Sequence, residues 1–265
     1  MIESNFLMYA TVFYFISMAS YFLFAAFKND ILSSFGKWIL ILGFILHSIS
    51  IISRIAASGR LPFSNLYESM TSFAWGIILI YLVVEFIYKI KAIAIIAIPI
   101  VFLATLYATT LDKTIETLMP ALKSNWLLAH VGVAIIAYGV FAVSFGTAVL
   151  FLLKKYFNIK WLPDKELLDD VTYKLIAFAF PFMTLVIITG AIWAEQSWGT
   201  YWSWDPKETW SLITFLIYLG YLHSRLVLNW KGKVSSLFAV IGFLAVLFTY
   251  LGVSFFLTGL HSYAQ

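Results

Sequence analysis

The chain is 265 residues long, 62% hydrophobic and only 11% charged, with a mean hydropathy of +0.93. A water-facing globule could not be surfaced with so few polar residues, so the bilayer is read as the solvent. The modest net charge of +4 gives no footprint for nucleic acid, and the lack of cysteine excludes a disulfide scaffold, a Cys-x-x-Cys redox pair and haem attachment through the chain's own thiols.

Crossing ~30 Å of hydrocarbon takes ~20 apolar residues. Such runs lie at about 5–27, 36–58, 69–88, 92–109, 125–153, 171–194, 209–230 and 234–258. They predict an all-α, polytopic membrane protein of about eight transmembrane helices forming one domain, 1–265. The first run follows Met1-Ile2-Glu3-Ser4-Asn5 without a basic leader and reaches Phe27 without a small-residue cleavage pattern, so it reads as an uncleaved span. If hairpins alternate sides, one side collects Lys28, Lys37, Lys89, Lys91, Lys154, Lys155, Lys160, Lys165, Lys174, Arg225, Lys231 and Lys233. The other receives only Arg54, Arg60, Lys113, Lys123 and Lys207. The positive-inside rule then puts both termini, and the connection between spans six and seven, on the outer side.

Before span three, Asn65 with Glu68 three residues on forms a capping box, and Glu68 is either that cap or a functional acid. In 110–124, Leu111, Ile115, Leu118, Met119 and Leu122 would give a helix one apolar side, lying along the outer interface or lidding what binds beneath it. The connection 154–170 alternates lysine with aspartate and glutamate and reads as a solvated inner segment.

The outer connection after span six carries the most unusual composition. Trp193, Trp198, Trp202, Trp204 and Trp210, five of the ten tryptophans, fall within residues 193–210. An interfacial aromatic belt is spread over many helices, so this concentration reads instead as a platform for a large, flat, apolar ligand. Asp205, Pro206 and Glu208 supply an acidic N-cap, proline at the first helical position and an acid at the third, so span seven starts near Pro206. Asp205 is thus most simply a cap.

The four histidines are His47, His130, His223 and His261. His130, just inside span five, and His261, just after span eight, both fall at the outer level of the tryptophan loop. Two imidazoles beside a flat aromatic ligand suit the axial positions of a haem iron. His223, in span seven, and His47, in span two, lie deeper. Ionisable groups at that depth face a cavity or a partner, so each is read either as a ligand of a second, inner haem or as a satisfied structural histidine. Arg54, Arg60 and Arg225 are candidates for the haem propionates, with snorkelling to lipid headgroups the alternative for Arg225.

The segment "WGTYWSWDPKETW" resembles the WWD signature of the haem-handling cytochrome c assembly proteins. With "NWLLAHV" before it, "YLHSR" one helix on, a histidine near the C-terminus and "LPFSNLYES", the likeness over most of 60–265 is specifically to the CcsA/ResC family of the System II cytochrome c synthase. The resemblance implies a WWD segment, 193–210, that holds haem b (iron protoporphyrin IX) with His130 and His261 as axial ligands. It implies that His223 meets the haem first, and that a CcsB/ResB-type membrane subunit supplies the other inner ligand, which sets His47 aside in that family. It further implies a holocytochrome c synthase (haem lyase) activity on apocytochrome c, in a bacterial cytoplasmic membrane or a thylakoid. Two other readings use much the same residues: a bis-histidine haem b electron-transfer subunit, and a haem exporter without synthase activity.

Overall fold

A computed structural model describes residues 2–259, and every regular element among them is helical. Among the described residues, seven helices are long and apolar enough to cross a membrane: Glu3–Phe27, Asp30–Ser58, Leu66–Tyr88, Lys91–Thr110, Asn125–Phe157, Lys165–Trp198 and Lys233–Phe256. The eighth long helix, Pro206–Leu226, is about 32 Å long at 1.5 Å per residue. It carries Thr209, Ser211, Thr214, His223, Ser224 and Arg225 and falls short on apolarity. The chain is an integral membrane protein of the all-α class.

The contacts group into two compact units. The first holds the residues up to Ile115 together with Ile159–Pro163, and the second holds Glu116–Asn158 with the chain from Asp164 on.

The first unit contains α1 (Ile2–Phe27), α2 (Asp30–Ser58), α3 (Leu66–Tyr88) and α4 (Ala94–Thr110), the last entered through a 3-10 turn, Lys91–Ile93. Helices α1 and α2 approach closely because tyrosines meet glycines at the same spacing. A Cβ on Gly43 would lie 3.0 Å from the Tyr14 ring, and one on Gly36 would lie 3.0 Å from Tyr21, seven residues along both helices. Apolar lipid gives two helices no hydrophobic reason to associate, so small residues and interhelical hydrogen bonds do that work. The Ser17 hydroxyl accordingly donates to the Gly36 carbonyl at 2.8 Å, and Ser20 donates to that of Leu32 at 2.7 Å.

Asn65 caps α3 as expected, its side chain accepting from the Glu68 amide at 2.9 Å. The other half of the capping box is replaced: Glu68 accepts from Ser64 and from two arginines. The proposed helix in 110–124 does not form beyond a 3-10 turn, Pro120–Leu122. Asp112 closes a local turn by accepting from the Thr114 amide and hydroxyl, and the Lys113 and Thr114 carbonyls take hydrogen bonds from Arg54, so the backbone is committed elsewhere. The Thr114 hydroxyl and amide hold the Asp112 carboxyl below its ordinary range.

The second unit contains α5 (Asn125–Phe157), α6 (Lys165–Trp198), α7 (Pro206–Leu226) and α8 (Lys233–Leu247). The last continues through a π-helical turn, Phe248–Gly252, into a final turn, Val253–Phe256. Helix α5 packs along α6 and α8, and α7 lies against α8 and α6. At 33 and 34 residues, α5 and α6 outrun the ~20 needed to span. They take up most of 154–170, leaving only 158–164 as a connection. The cap of α7 is complete: Asp205 accepts from the Lys207 amide at 2.9 Å, and Glu208 reaches back to the Asp205 amide at 3.1 Å.

Candidate functional site

The tryptophan loop is anchored at one end by Trp193 in the last turns of α6. Its side chain is buried, and its indole N–H donates to the Ala121 carbonyl at 2.9 Å. Leu122 and Leu127 pack against it, with Leu118, Val131 and Trp198 around them. Trp198 meets the ring edge to face at 5.0 Å. Burying the ring while satisfying its one donor makes Trp193 a fixed point.

His130, in the second turn of α5, lies beside that anchor. Its ring is nearly parallel to Trp193, with 6.1 Å between centroids and 23° between planes. Nδ1 is 2.9 Å from the Val186 carbonyl. A carbonyl only accepts, so Nδ1 carries the proton, and the neutral ring then has its lone pair on Nε2. Gly190 makes the seat, since a Cβ there would come within 2.9 Å of both Cε1 and Nδ1 of His130. An isolated glycine in an apolar helical run was the only signal of this contact in the sequence.

From Gly199, the left-handed C-cap of α6 (φ 78°), the chain runs to Asp205 without regular structure. Glu208 holds this loop, accepting from the Ser203 amide at 2.8 Å as well as from Asp205. Sequence reading took Glu208 only as a helix-start residue. Trp202 and Trp204 meet edge to face at 5.7 Å. Trp204 has a left-handed backbone (φ 61°) and is 68% exposed. Trp210, in the first turn of α7, packs on Phe248 of the π-helical turn at 4.2 Å, and the Thr249 hydroxyl lies 3.2 Å from the Trp210 carbonyl. Gly259 passes so close to Asp205 and Pro206 that a Cβ would collide with the Asp205 carboxylate. His261, two residues further on, lies outside the described residues.

The remaining candidates fall in other places. His223 is exposed in the last turn of α7, about 27 Å along the helix axis from Asp205 at 1.5 Å per residue. Arg225 pairs at 2.6 Å with Asp169 of α6, an acid that also accepts from the Gly232 amide. His47 belongs to the first unit and is completely buried. Its Nδ1 lies 3.0 Å from the Tyr14 hydroxyl, and its Nε2 has no hydrogen-bond partner among the described residues, although the Thr71 carbonyl faces the ring. Arg54 and Arg60 are also in the first unit. Arg54 pairs with Glu3 at 2.5 Å and Glu68 at 2.9 Å, and Arg60 with Glu68 at 2.8 Å. Two cations and two carboxylates thus balance in a shielded network. Removing one member would cost about 3–5 kcal/mol, because it strands a buried charge.

Residues 63–261 match the family described as "Cytochrome C assembly protein". Over 97% of its length the chain is 38% identical to a "Cytochrome c biogenesis protein CcsA" of Trieres chinensis, covering 93% of that protein. The CcsA of Guillardia theta is 37% identical over 94% of the chain and 92% of the relative. That of Prochlorococcus marinus (strain MIT 9312) is 39% identical over 86% and 84%. Among solved structures, "Cytochrome c Heme Lyase CcmF" superposes on 94% of the chain with a TM-score of 0.75 at 16% identity. The chain spans about half of that longer protein, 46% of its length, and the likeness is one of fold.

Proposed function

The chain belongs to the cytochrome c assembly protein family, and from that membership we propose that it binds haem b, moves it from an inner to an outer position and presents it for attachment to apocytochrome c. Its broad role is cytochrome c biogenesis in a membrane. In the finer reading the whole chain, 1–265, serves as one haem-handling domain and works with a CcsB/ResB-type subunit. Its 193–210 segment faces outward from a bacterial cytoplasmic membrane or a thylakoid.

The observation that carries this reading is the seat of His130. The Val186 carbonyl and Gly190 orient the ring and leave the lone pair on Nε2, beside a buried tryptophan at the root of the aromatic loop. A porphyrin supplies four in-plane nitrogens, so the protein needs only single, well-oriented axial donors. His130 is one. His261 is proposed as the other, and the run of Gly259 against the Asp205 cap brings the chain toward the loop two residues before it.

Trp193, Trp198, Trp202, Trp204 and Trp210 offer faces and edges for the macrocycle, while Asp205 and Glu208 hold the loop's backbone. His223 is proposed as the inner ligand, its exposure leaving it open to a partner's side chain. For His47, enclosure between the Tyr14 hydroxyl and the Thr71 carbonyl suits packing, and a ligand role would need its Nε2 to turn from that carbonyl to iron. Arg54, Arg60 and Arg225 would serve propionates only by sharing or exchanging their present carboxylate partners.

The attachment chemistry asks little of protein acids and bases. Two thiols of the substrate's Cys-x-x-Cys-His motif add across the two haem vinyl groups, and its histidine takes over an axial position. The chain's part is therefore to position the haem and to yield a ligand. The test compares wild type with His130→Gly, co-expressed with a CcsB-type subunit and an apocytochrome c. Reduced b-type spectra and thioether-linked haem are measured with and without imidazole. Loss of product in the variant, restored by imidazole, is expected. Unchanged haem and product in the variant would sink the ligand role. Wild-type haem binding with no thioether product would favour export without synthase activity.

A further inference from the structure

At the end of the second unit away from the tryptophan loop, the ends of α5 and α7 and the starts of α6 and α8 line an open cavity of about 510 Å³. Its wall carries Lys155, Lys165, Lys231 and Lys233, together with the buried guanidinium of Arg225 and the ring of Phe151. Three acids are also present, and two of them are already engaged. Asp169 is taken by Arg225 and the Gly232 amide, and Asp170 by Lys174 at 2.7 Å. None of the four lysines has a carboxylate partner among the described residues, and Lys233 makes only a cation–π contact with Tyr156. Four unpaired ammonium groups therefore face one uncommitted carboxylate, that of Glu166.

Like charges gathered around a cleft repel one another, and the cleft focuses their field on whatever enters it. The arrangement is relieved by an anion that can accept from several ammonium groups at once. The cavity lies where long apolar helices end, and Phe151 gives it an apolar wall, so the same ligand can leave hydrocarbon along the helices. We propose that this cavity binds the phosphate headgroup of an anionic phospholipid. Lys155, Lys165, Lys231 and Lys233 would hold the phosphate oxygens, and Phe151 would lie against the glycerol end of the acyl chains. Basic pockets between membrane helices recognise acidic headgroups through this combination of charge and depth.

The test uses the full chain, purified in a neutral detergent and stripped of lipid. It is titrated with phosphatidylglycerol, phosphatidylcholine or inorganic phosphate, and adducts are counted by native mass spectrometry. Phosphatidylglycerol is expected to bind at least tenfold more tightly than phosphatidylcholine. A Lys155→Gln/Lys231→Gln/Lys233→Gln variant should lose roughly tenfold or more of that affinity. A Lys28→Gln/Lys89→Gln/Lys160→Gln control, which removes as much charge elsewhere, should stay within twofold. Far-ultraviolet circular dichroism checks that the triple variants are folded, and Lys231→Gln, in the short connection after α7, serves if the first triple is not. Equal binding of the two lipids overturns the proposal. So does an equal loss in both triples, which would mean diffuse surface attraction, or tight binding of inorganic phosphate without the lipid, which would mean a soluble anion.

Discussion

Trp204 is the residue where stability and sequence are most clearly at odds. A non-glycine residue in the left-handed region costs roughly 1–2 kcal/mol, and a ring 68% exposed recovers little of it by packing. Replacement by glycine removes the strain, gives up the edge contact with Trp202, worth ~0.5–1.5 kcal/mol, and adds ~0.5–1 kcal/mol of unfolded-chain entropy. These terms nearly cancel. Trp204→Gly is therefore expected to keep its thermal unfolding midpoint within a few degrees of wild type while retaining much less haem through purification. A variant that keeps its haem, or one that unfolds, would remove the case for a functional ring. Gly190 poses the reverse conflict. Alanine in a helix is better than glycine by ~1 kcal/mol, yet its methyl would sit 2.9 Å from the His130 ring. Gly190→Ala is expected to leave helix content and unfolding unchanged, and to lower cytochrome c yield severalfold in a way that added imidazole repairs. Normal yield without imidazole would show that the seat of His130 is not needed.

Among the elements, α7 shows how much local sequence can specify. Asp205, Pro206 and Glu208 announce its start, and the cap forms with both reciprocal hydrogen bonds. Asp205→Ala is expected to cost about 1 kcal/mol, the usual worth of an N-cap, seen as a modest fall in the unfolding midpoint. Because Asp205 also faces Gly259, the same change should loosen the chain around Gly259, read as faster hydrogen exchange at residues 257–259. An effect confined to stability would leave Asp205 as a cap and nothing more. The 110–124 segment shows the opposite case. Its apolar spacing fits a helix, but Arg54, 59 residues away in sequence, takes its Lys113 carbonyl at 2.6 Å. No local pattern records that demand.

For the whole molecule, the lack of cysteine turns an expectation about topology into a clean measurement. Single replacements Thr200→Cys, in the tryptophan loop, and Lys160→Cys, between α5 and α6, are each the chain's only thiol. With a membrane-impermeant maleimide, Thr200→Cys is expected to be labelled from the outer side of intact cells, and Lys160→Cys only after the membrane is opened. The reverse pattern would invert the orientation drawn from the lysine and arginine count and put the aromatic loop on the inner side.

What the chain determines by itself is its solvent, its long helices and the N-cap residues that start α3 and α7, because hydropathy, proline and capping residues act over a few neighbours and need no tertiary contact. The tryptophan loop and its histidine are legible for the same reason: their chemistry is unusual wherever they fold. Tertiary structure alone decided that Gly190 seats His130 on the Val186 carbonyl, that Glu68 answers two arginines in place of its own cap, and that lysines from three helix ends and one connection share one cavity. Those contacts join residues far apart in sequence. Which donor meets which acceptor in a medium without water is settled by the packing of helices, since the protein itself is the main source of partners for polar groups buried there.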